Sequence, residues 1–388
     1  MFWPLMKDCF TDEDRQSLVH FIQNSTRYTN GPKVVEFERQ WSDWLGVDYS
    51  LFVSSGSTAN SLLMSGVITK FGLQKNDKVL VPAMTWVTNI SPVTQLGLQP
   101  IFCDVDPKNF SFDMNHLKQL SEEHPDIKVV FVTHLFGIPA PISEFKKLFP
   151  NAIFIEDCCE SHGAKINEEK IGTFSLGSTF SSYFGHHMTT VEGGFVSTND
   201  KDLYELMRAK RSHGMARECS PDIFDKYIKQ YPDIDKRFMF ITDGYNFRNT
   251  EFGAVIGLSQ LPRLDSMIER RIEICLWFEN YLNKHKDIFD IPTFEGNSSF
   301  CLPFILKDKD QKTALQNYLE ENGVETRPLC SGNLLRQPFL SEYSINLDNP
   351  KVDYLHFHGF FIGNNHLITD SDISQLEGLL DSFINTKI

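Results

Sequence analysis

The chain has 388 residues, of which 41% are hydrophobic and 23% are charged, and its formal net charge is −14. These proportions are typical of a soluble globular protein that is long enough for one large and one smaller domain. The negative charge disfavours nucleic acid and anionic membranes as partners, although a local group of arginines or N–H groups can still hold an anionic small ligand. The N-terminus has no basic start followed by a long apolar run, and no apolar stretch is long enough for a membrane span. We therefore expect neither a signal peptide nor a membrane segment.

The eight cysteines are scattered along the chain, apart from the adjacent Cys158 and Cys159, and they resemble no disulfide framework. This usage favours a reduced, cytoplasmic protein. Glu156, Glu160 and His162 surround the cysteine pair, but their spacing matches no zinc signature. The sequence therefore predicts no metal site.

Short apolar runs dominate the first part of the chain, at residues 50–53, 78–81, 100–103, 129–133 and 153–156. Each run is followed by an amphipathic stretch of helical length. Strands that alternate with helices predict βαβ units and a mostly parallel sheet, which gives an α/β fold. Ligands of such sheets bind beyond the carboxyl ends of the strands.

The pattern changes after residue 174. Two β-rich runs, at 178–183 and 194–197, flank His186 and His187, and helical segments follow near 200–213 and 251–284. From about residue 290 the pattern is mixed, with a strand at 300–306, a helix at 311–322 and a last helix from Asp370. We predict a large α/β domain, including an N-terminal segment, over residues 1–285 and a smaller α+β domain over residues 286–388.

A loop rich in small residues, at positions 54–60, follows the first strand and opens a helix. Free N–H groups at a helix start favour an anion such as a phosphate. The alternative interpretation is a capped helix, with Ser55 or Ser57 as the capping residue. No triphosphate-binding or dinucleotide-binding glycine pattern is present here.

Three further positions could carry chemistry. Asp157 closes the fifth apolar run and could pair with a protonated ring nitrogen, although a capping or surface aspartate is commoner. Trp86 follows the second run and could stack on an aromatic cofactor, although such a tryptophan more often lies in a core. His186 could act as an acid or base, although paired histidines often lie in a simple turn.

The order of these features resembles the DegT/StrS family of sugar aminotransferases over residues 20–385. The matching stretches include residues 53–60, 177–182, 244–248, 327–328, 331–333 and 363–364. The resemblance implies fold type I of the pyridoxal phosphate enzymes, with an aspartate aminotransferase-like large domain. In that family a lysine, six residues before the glutamate of a Glu-Gly-Gly turn, binds the cofactor covalently. Here that position is His186, which marks the family's sugar-nucleotide 3-dehydratases.

The resemblance also implies residue roles. His186 is the expected catalytic acid and base, and pyridoxal 5'-phosphate or its pyridoxamine form is held without a covalent bond. The expected cofactor residues are Gly56, Ser57, Trp86, Asp157, Glu160, Ser181 and Asn246, the last supplied by the partner subunit of a homodimer. The expected sugar-nucleotide residues are Thr26, Arg27, Tyr28, Thr29, His213, Arg217, Arg248 and Glu325.

The implied reaction removes the C3 hydroxyl of a 4-keto-6-deoxy sugar nucleotide. L-Glutamate is the implied amino donor, and ammonia and 2-oxoglutarate are released. A GDP-linked sugar is favoured, while CDP- and dTDP-linked sugars stay open. The sequence also leaves open a sugar aminotransferase, an iron–sulfur 3-dehydrase and a non-enzymatic binding module. An iron–sulfur cluster needs four thiolates that lie close together. The candidate cysteines, Cys219, Cys275, Cys301 and Cys330, are far apart in sequence.

Overall fold

The computed structural model of the protein describes residues 1–343 and 350–387. The α-helices are α1 (Asp12–Asn24), α2 (Pro32–Leu45), α3 (Gly56–Phe71), α4 (Ser91–Gln95), α5 (Met114–Glu123), α6 (Ile142–Leu148), α7 (Lys201–Arg211), α8 (Pro221–Gln230), α9 (Glu251–Gln260), α10 (Leu264–Lys284), α11 (Lys309–Glu321), α12 (Lys351–His358) and α13 (Asp370–Lys387). The strands are β1 (Tyr49–Val53), β2 (Lys78–Pro82), β3 (Gln99–Cys103), β4 (Val129–Thr133), β5 (Ile153–Asp157), β6 (Lys165–Ile166), β7 (Glu169–Lys170), β8 (Gly177–Ser181), β9 (Gly194–Thr198), β10 (Phe289–Asp290), β11 (Cys301–Leu306), β12 (Thr326–Pro328) and β13 (Gly359–Gly363).

The large sheet has seven strands in the order β1-β9-β8-β5-β4-β2-β3. Its β8–β5, β5–β4, β4–β2 and β2–β3 pairs are parallel, whereas β9 is antiparallel to both of its neighbours. The apolar runs at 50–53, 78–81, 100–103, 129–133 and 153–156 all lie in these strands. The predicted α/β fold with a mostly parallel sheet is confirmed.

Helices cover both faces of this sheet. The side chains of each strand alternate between the two faces, so the sheet has a separate hydrophobic core on each side. Val79, Val129 and Phe131 pack with α3 and α7, while Leu80 and Val130, one residue along, pack with α5 and α6. Successive side chains of a strand point to opposite faces. A strand that is covered on both sides must be apolar throughout, which is why β4 reads Val-Val-Phe-Val-Thr.

A second sheet of four antiparallel strands, β10-β11-β13-β12, is formed by the last hundred residues. It shares its core with α10, α11, α12 and α13. The division of the chain into domains at residues 285 and 286 stays a prediction.

One predicted element is wrong in detail. The segment 251–284 is not a continuous helix, because α9 ends at Gln260 and a 3-10 turn, Leu261–Arg263, precedes α10. Pro262 lies in this turn. A proline inside a helix has no N–H to donate, and its ring clashes with the carbonyl four residues earlier. The helical pattern continues across the break, so the pattern alone did not reveal it.

The fold brings the carboxyl ends of β1, β2, β4, β5 and β8 to one edge of the large sheet. The start of α3 and the loop between β8 and β9 lie at the same edge. Among the described helices, none is both long enough and apolar enough to cross a membrane.

Candidate active site

A cavity of about 540 Å³ opens at this edge, between the large sheet and the strands β12 and β13 of the small sheet. Its lining includes seven residues that the sequence singled out: Gly56, Ser57, Trp86, Asp157, Glu160, Ser181 and His186. Arg327 and Phe361 contribute from the small sheet, and Phe300 from the segment before β11. The structure therefore gathers seven predicted residues from distant parts of the chain around one space.

The start of α3 lines the cavity, and its geometry suits an anion. Ser55 is the N-cap, and its hydroxyl accepts from the N–H of Thr58 at 3.1 Å. The N–H groups of Gly56 and Ser57 lie in the first turn, where a helix offers no internal acceptor. Both interpretations of this loop are thus compatible, because the cap is Ser55 and the residues after it remain available. The helix dipole adds to the attraction for a phosphate.

Gly56 has no room for a side chain. A Cβ there would lie 2.8 Å from Cβ of Ser181 and 3.0 Å from Sγ of Cys159. We expect Gly56→Ala to weaken the binding of a phosphate-bearing cofactor about tenfold, or ~1.4 kcal/mol, because α3 or Ser181 must move. Titration of the protein with pyridoxal phosphate measures the dissociation constant.

The control for Gly56→Ala is Gly378→Ala in α13, where a Cβ meets nothing within 4 Å. This second variant should leave the affinity unchanged and should raise stability slightly, because alanine favours helix over glycine. Equal affinities of Gly56→Ala and wild type would contradict the assignment of the phosphate site.

Asp157, the last residue of β5, is a buried carboxylate held on both oxygens. Nδ2 of Asn60 donates to its Oδ2 at 2.8 Å, and the N–H of Cys159 donates to its Oδ1 at 2.9 Å. The hydroxyl of Thr179 in turn donates to Oδ1 of Asn60 at 2.6 Å, which fixes the orientation of that amide. These donors fix the orientation of the carboxylate. Asp157 can therefore present a fixed negative charge to a cationic group in the cavity.

Glu160 lies three residues further on and has a different environment. The N–H of Phe136 donates to its Oε2 at 3.0 Å. Burial, reinforced by the charge of Asp157, raises the pKa of Glu160 to about 7. A buried carboxyl group that can hold a proton at neutral pH is a candidate for proton transfer.

The raised pKa of Glu160 predicts a dependence of stability on pH. Between the usual pKa of a glutamate and about 7, the folded protein holds a proton that the unfolded chain has released. Stability should therefore fall as the pH rises through this range. Glu160→Gln should remove the effect and stabilise the cofactor-free protein above neutral pH by on the order of 1–2 kcal/mol, since solvent in the cavity screens part of the charge.

Urea unfolding of wild type and Glu160→Gln at about pH 5 and about pH 8 measures this difference. The control is Glu122→Gln, an exposed position of α5, which should show no pH-dependent gain. A Glu160→Gln variant that gains nothing at the higher pH would contradict the raised pKa.

His186 lies in the loop between β8 and β9. Its N–H donates to the carbonyl of Tyr183 at 3.0 Å, and its ring packs against Phe300 with centroids 5.2 Å apart. Its Nδ1 is buried without a partner, so we expect Nε2 to be the nitrogen that works in the cavity. Burial, opposed by the carbonyl of Cys159 and reinforced by the charge of Arg271, lowers the pKa of His186 to about 4. The imidazole is therefore neutral at pH 7 and able to accept a proton.

Trp86 does not lie in the core. It precedes a 3-10 turn, Val87–Asn89, lines the cavity and is 55% exposed. An exposed indole at a cavity wall is a surface on which an aromatic ring can stack.

The other predicted site residues do not line the cavity within one chain. Asn246 is exposed, and its Oδ1 accepts from Nε of Arg248 at 3.1 Å. Thr26, Arg27, Tyr28 and Thr29 lie between α1 and α2, and His213 and Arg217 follow α7.

Glu325 also lies outside the lining of the cavity, but it contacts two residues that belong to this lining. Its Oε1 accepts from Nη2 of Arg327 at 2.7 Å, and its Oε2 accepts from the N–H of Leu5 at 3.0 Å. A role for these residues in substrate binding stays a prediction.

Sequence reasoning missed several residues that shape the site. Asn60 and Thr179 orient Asp157 through the hydrogen bonds that join the three side chains. His134 lines the cavity, where its Nε2 lies 3.2 Å from Oε1 of Glu156 and its Nδ1 accepts from the N–H of Ala140 at 2.9 Å. These contacts depend on residues far apart in the chain, and no spacing pattern predicts them.

His134, Glu156 and Cys158 are also the group of described residues whose possible metal-ligating atoms all lie within 4.8 Å of one another. Both ring nitrogens of His134 already have hydrogen-bond partners, which explains the arrangement without an ion.

The fold and the cavity together define the class of protein: an α/β enzyme whose site joins an anion-binding helix start, a buried aspartate and a neutral imidazole. The chain belongs to the DegT/DnrJ/EryC1/StrS aminotransferase family, whose sequence pattern matches residues 10–374.

Two curated relatives are similar over almost their whole length. A GDP-4-keto-6-deoxy-D-mannose 3-dehydratase of Yersinia pseudotuberculosis is 34% identical over 379 residues, which are 95% of this chain and 96% of the relative. A GDP-4-keto-6-deoxy-D-mannose 3-dehydratase of Escherichia coli O55:H7 is 32% identical over 393 residues, covering 97% and 99% of the two chains.

The solved structures agree with these relatives. An Escherichia coli GDP-4-keto-6-deoxy-D-mannose 3-dehydratase with bound hydrated PLP superposes with a TM-score of 0.88 at 30% identity, over 97% of this chain and 99% of that chain. A structure of a GDP-4-keto-6-deoxymannose 3-dehydratase with a trapped PLP–glutamate geminal diamine gives the same TM-score and identity. A Helicobacter pylori aminotransferase involved in the biosynthesis of pseudoaminic acid has a TM-score of 0.84 at 20% identity, which is a likeness of fold.

Proposed function

We propose that the protein is a pyridoxal phosphate-dependent sugar-nucleotide 3-dehydratase. It removes the C3 hydroxyl of a 4-keto-6-deoxy sugar nucleotide, with L-glutamate as the amino donor, and it releases ammonia and 2-oxoglutarate. The observation that carries the proposal is a cavity in which residues suited to the cofactor, Gly56, Trp86 and Asp157, meet His186 at the position where the family's aminotransferases have a lysine. GDP-4-keto-6-deoxymannose is the proposed substrate, because the two curated relatives described above are named for it.

The residues of the cavity fit the cofactor on three counts. Gly56 has no side chain, which leaves a space that a Cβ would fill. This space lies beside two N–H groups and the hydroxyl of Ser181, and these donors suit a phosphate. Asp157 offers a charge for the pyridinium nitrogen, and Trp86 offers a face for the ring. When bound, the cofactor supplies an electron sink and carries the amino group of the donor.

In this proposal His186 is the acid and base of the reaction, and it forms no covalent bond to the cofactor. An imidazole is not a primary amine and cannot replace a lysine in covalent binding. Its neutral ring can take a proton at Nε2 and deliver it to the departing C3 hydroxyl. An anionic phosphate in the cavity would oppose the low pKa of His186 and bring it nearer to neutrality, where proton transfer is most effective.

We also propose a homodimer in which Asn246 of one subunit completes the phosphate site of the other. Asn246 is exposed and lies outside the cavity of its own chain. The cavity rim carries exposed apolar side chains that a second subunit would cover, among them Trp86 at 55% and Tyr183 at 49% exposure.

An iron–sulfur 3-dehydrase is less well supported. Within the described part of the chain, Cys219, Cys275, Cys301 and Cys330 do not form a group with metal-ligand spacing. Burial also raises the pKa of each of these thiols, which opposes the thiolate form that a cluster needs.

The fate of the donor nitrogen tests the proposal against an aminotransferase. The protein is incubated with pyridoxal phosphate, ¹⁵N-labelled L-glutamate and GDP-4-keto-6-deoxymannose, and the label is followed by NMR. A dehydratase releases the label as ammonia, in equal amount to 2-oxoglutarate. Label that stays on the sugar would show aminotransfer and overturn the proposal.

A further inference from the structure

Arg271 of α10 is fully buried and forms no ion pair in the part of the chain that the structure describes. Burial lowers the pKa of Arg271 to about 10, so the guanidinium still carries its charge at neutral pH. An unpaired buried charge is costly in a protein interior. The proposed reaction gives this residue no task of its own.

The guanidinium donates to three backbone carbonyls from three separate segments. Nη1 donates to the carbonyl of Phe300 at 3.2 Å and to that of Asn364, and Nη2 donates to the carbonyl of His186 at 3.4 Å. The side chain of Asn364 returns a bond of 2.9 Å to the carbonyl of Arg271. Arg271 thus connects the loop of His186 to the small sheet and to α10.

His186, whose carbonyl Arg271 contacts, lies beside two further histidines. The ring of His162 lies 6.2 Å from that of His186 and 5.2 Å from that of His187. Both nitrogens of His162 and Nδ1 of His187 are buried without a partner. Burial, reinforced by the charge of Arg271, lowers the pKa of all three histidines. The cluster therefore stays neutral around one fixed cation.

Other titratable groups also face His186 from the elements packed around it. They are His134 after β4, Asp157 at the end of β5, Cys159 and Glu160 after that strand, Tyr183 and Glu192 of its own loop, Arg327 of β12 and Cys330. Asp157, Glu160 and Glu192 are acids that favour a protonated histidine. Arg271 and Arg327 are the opposing cations, and of these two Arg271 contacts the backbone of His186.

We propose that Arg271 is a positioning residue for His186: its guanidinium fixes the carbonyl of that histidine, and its unpaired charge adds to the effect of burial in opposing protonation of the imidazole. The inference rests on the function proposed above, since that function gives His186 a proton to move. A purely structural arginine would hold the loop equally well, but it would not alter the titration of the ring.

Two substitutions of Arg271 separate its positioning of the His186 loop from its electrostatic effect on the imidazole. Arg271→Gln can still donate a hydrogen bond but has no charge, whereas Arg271→Lys keeps the charge and loses the planar fork. The matched control is Arg270→Gln, the neighbouring residue of α10, whose side chain pairs with Glu273 and Asp370. That variant removes the same charge from outside the cluster.

The measurement is NMR titration of isotope-labelled histidine rings in the protein loaded with pyridoxal phosphate, with the His186 signal assigned by its absence in His186→Asn. We expect Arg271→Gln to raise the midpoint of His186 by about one pH unit, the size of effect that a nearby charge has on a buried group. Arg271→Lys and Arg270→Gln should leave the midpoint in place, and Arg271→Lys should lower kcat about tenfold because the histidine is held less firmly.

An unchanged midpoint in Arg271→Gln, or an equal shift in Arg270→Gln, would overturn the proposal. Should Arg271→Gln fail to fold, Arg271→Lys is the deciding variant, because a shifted midpoint or a wild-type kcat in that variant overturns the proposal. The titration does not depend on turnover. A shift in Arg271→Gln beside a wild type that dehydrates no sugar would therefore contradict the proposed function and leave the electrostatic role of Arg271 standing.

Discussion

Replacing His186 with asparagine is expected to lower dehydration by about a thousandfold, or ~4 kcal/mol in the activation barrier, while cofactor affinity changes little. Asparagine preserves a polar side chain of similar length but cannot take up a proton at neutral pH. The phosphate site, Trp86 and Asp157 are untouched. Product formation under saturating glutamate measures the first effect, and titration with pyridoxal phosphate measures the second.

The control for His186→Asn is the adjacent histidine. His187 does not line the cavity, and its Nε2 bonds to the carbonyl of Ser298 at 3.0 Å. His187→Asn should lower the free energy of unfolding by about 1–3 kcal/mol, because a buried polar contact is lost. The folded variant should still dehydrate the substrate. Dehydration at the wild-type rate by His186→Asn would show that this histidine is not the catalytic group.

The second large effect is expected for Asp157→Asn, which should lower both cofactor affinity and turnover by about a hundredfold or more. The substitution removes the charge that we propose as the partner of the ring nitrogen. It also places an amide N–H₂ group against one of two donors, Nδ2 of Asn60 or the N–H of Cys159, that now contact the carboxylate. A donor that faces a donor in a buried site is destabilising.

Asp287→Asn, at an exposed position between α10 and β10, is the control for this charge change. It should leave both affinity and turnover unaltered. If Asp157→Asn binds the cofactor as wild type does and retains full activity, the assignment of Asp157 to the ring nitrogen is wrong.

Much of the fold followed from the sequence because its signals are local. Buried strands such as β4 are apolar along their whole length, and the carboxyl ends of parallel strands must meet at one edge. These two facts are sufficient to place Gly56, Asp157 and the loop of His186 near each other. The break at Pro262 was missed because the helical period on either side continues in phase.

The remaining parts of the site depend on packing that no spacing encodes. Arg271 lies in a helix whose sequence reads as an ordinary amphipathic segment, and its burial follows from the small sheet that closes over it. In the sequence, Asn60 was only one residue of a motif. Its role depends on the hydrogen bond that it donates from α3 to Asp157 at the end of β5. Asn246 and the predicted substrate residues lie outside the cavity of a single chain, so their predicted roles stay predictions.

The most direct test of the proposed dehydration is the mass of the sugar nucleotide that the protein produces. Purified protein is mixed with pyridoxal phosphate, L-glutamate and GDP-4-keto-6-deoxymannose, and the product is analysed by mass spectrometry. We predict a sugar nucleotide lighter than the substrate by one oxygen atom, formed only when glutamate is present. A product that carries an amino group at C4, with its C3 hydroxyl retained, would contradict the assignment of this protein as a 3-dehydratase.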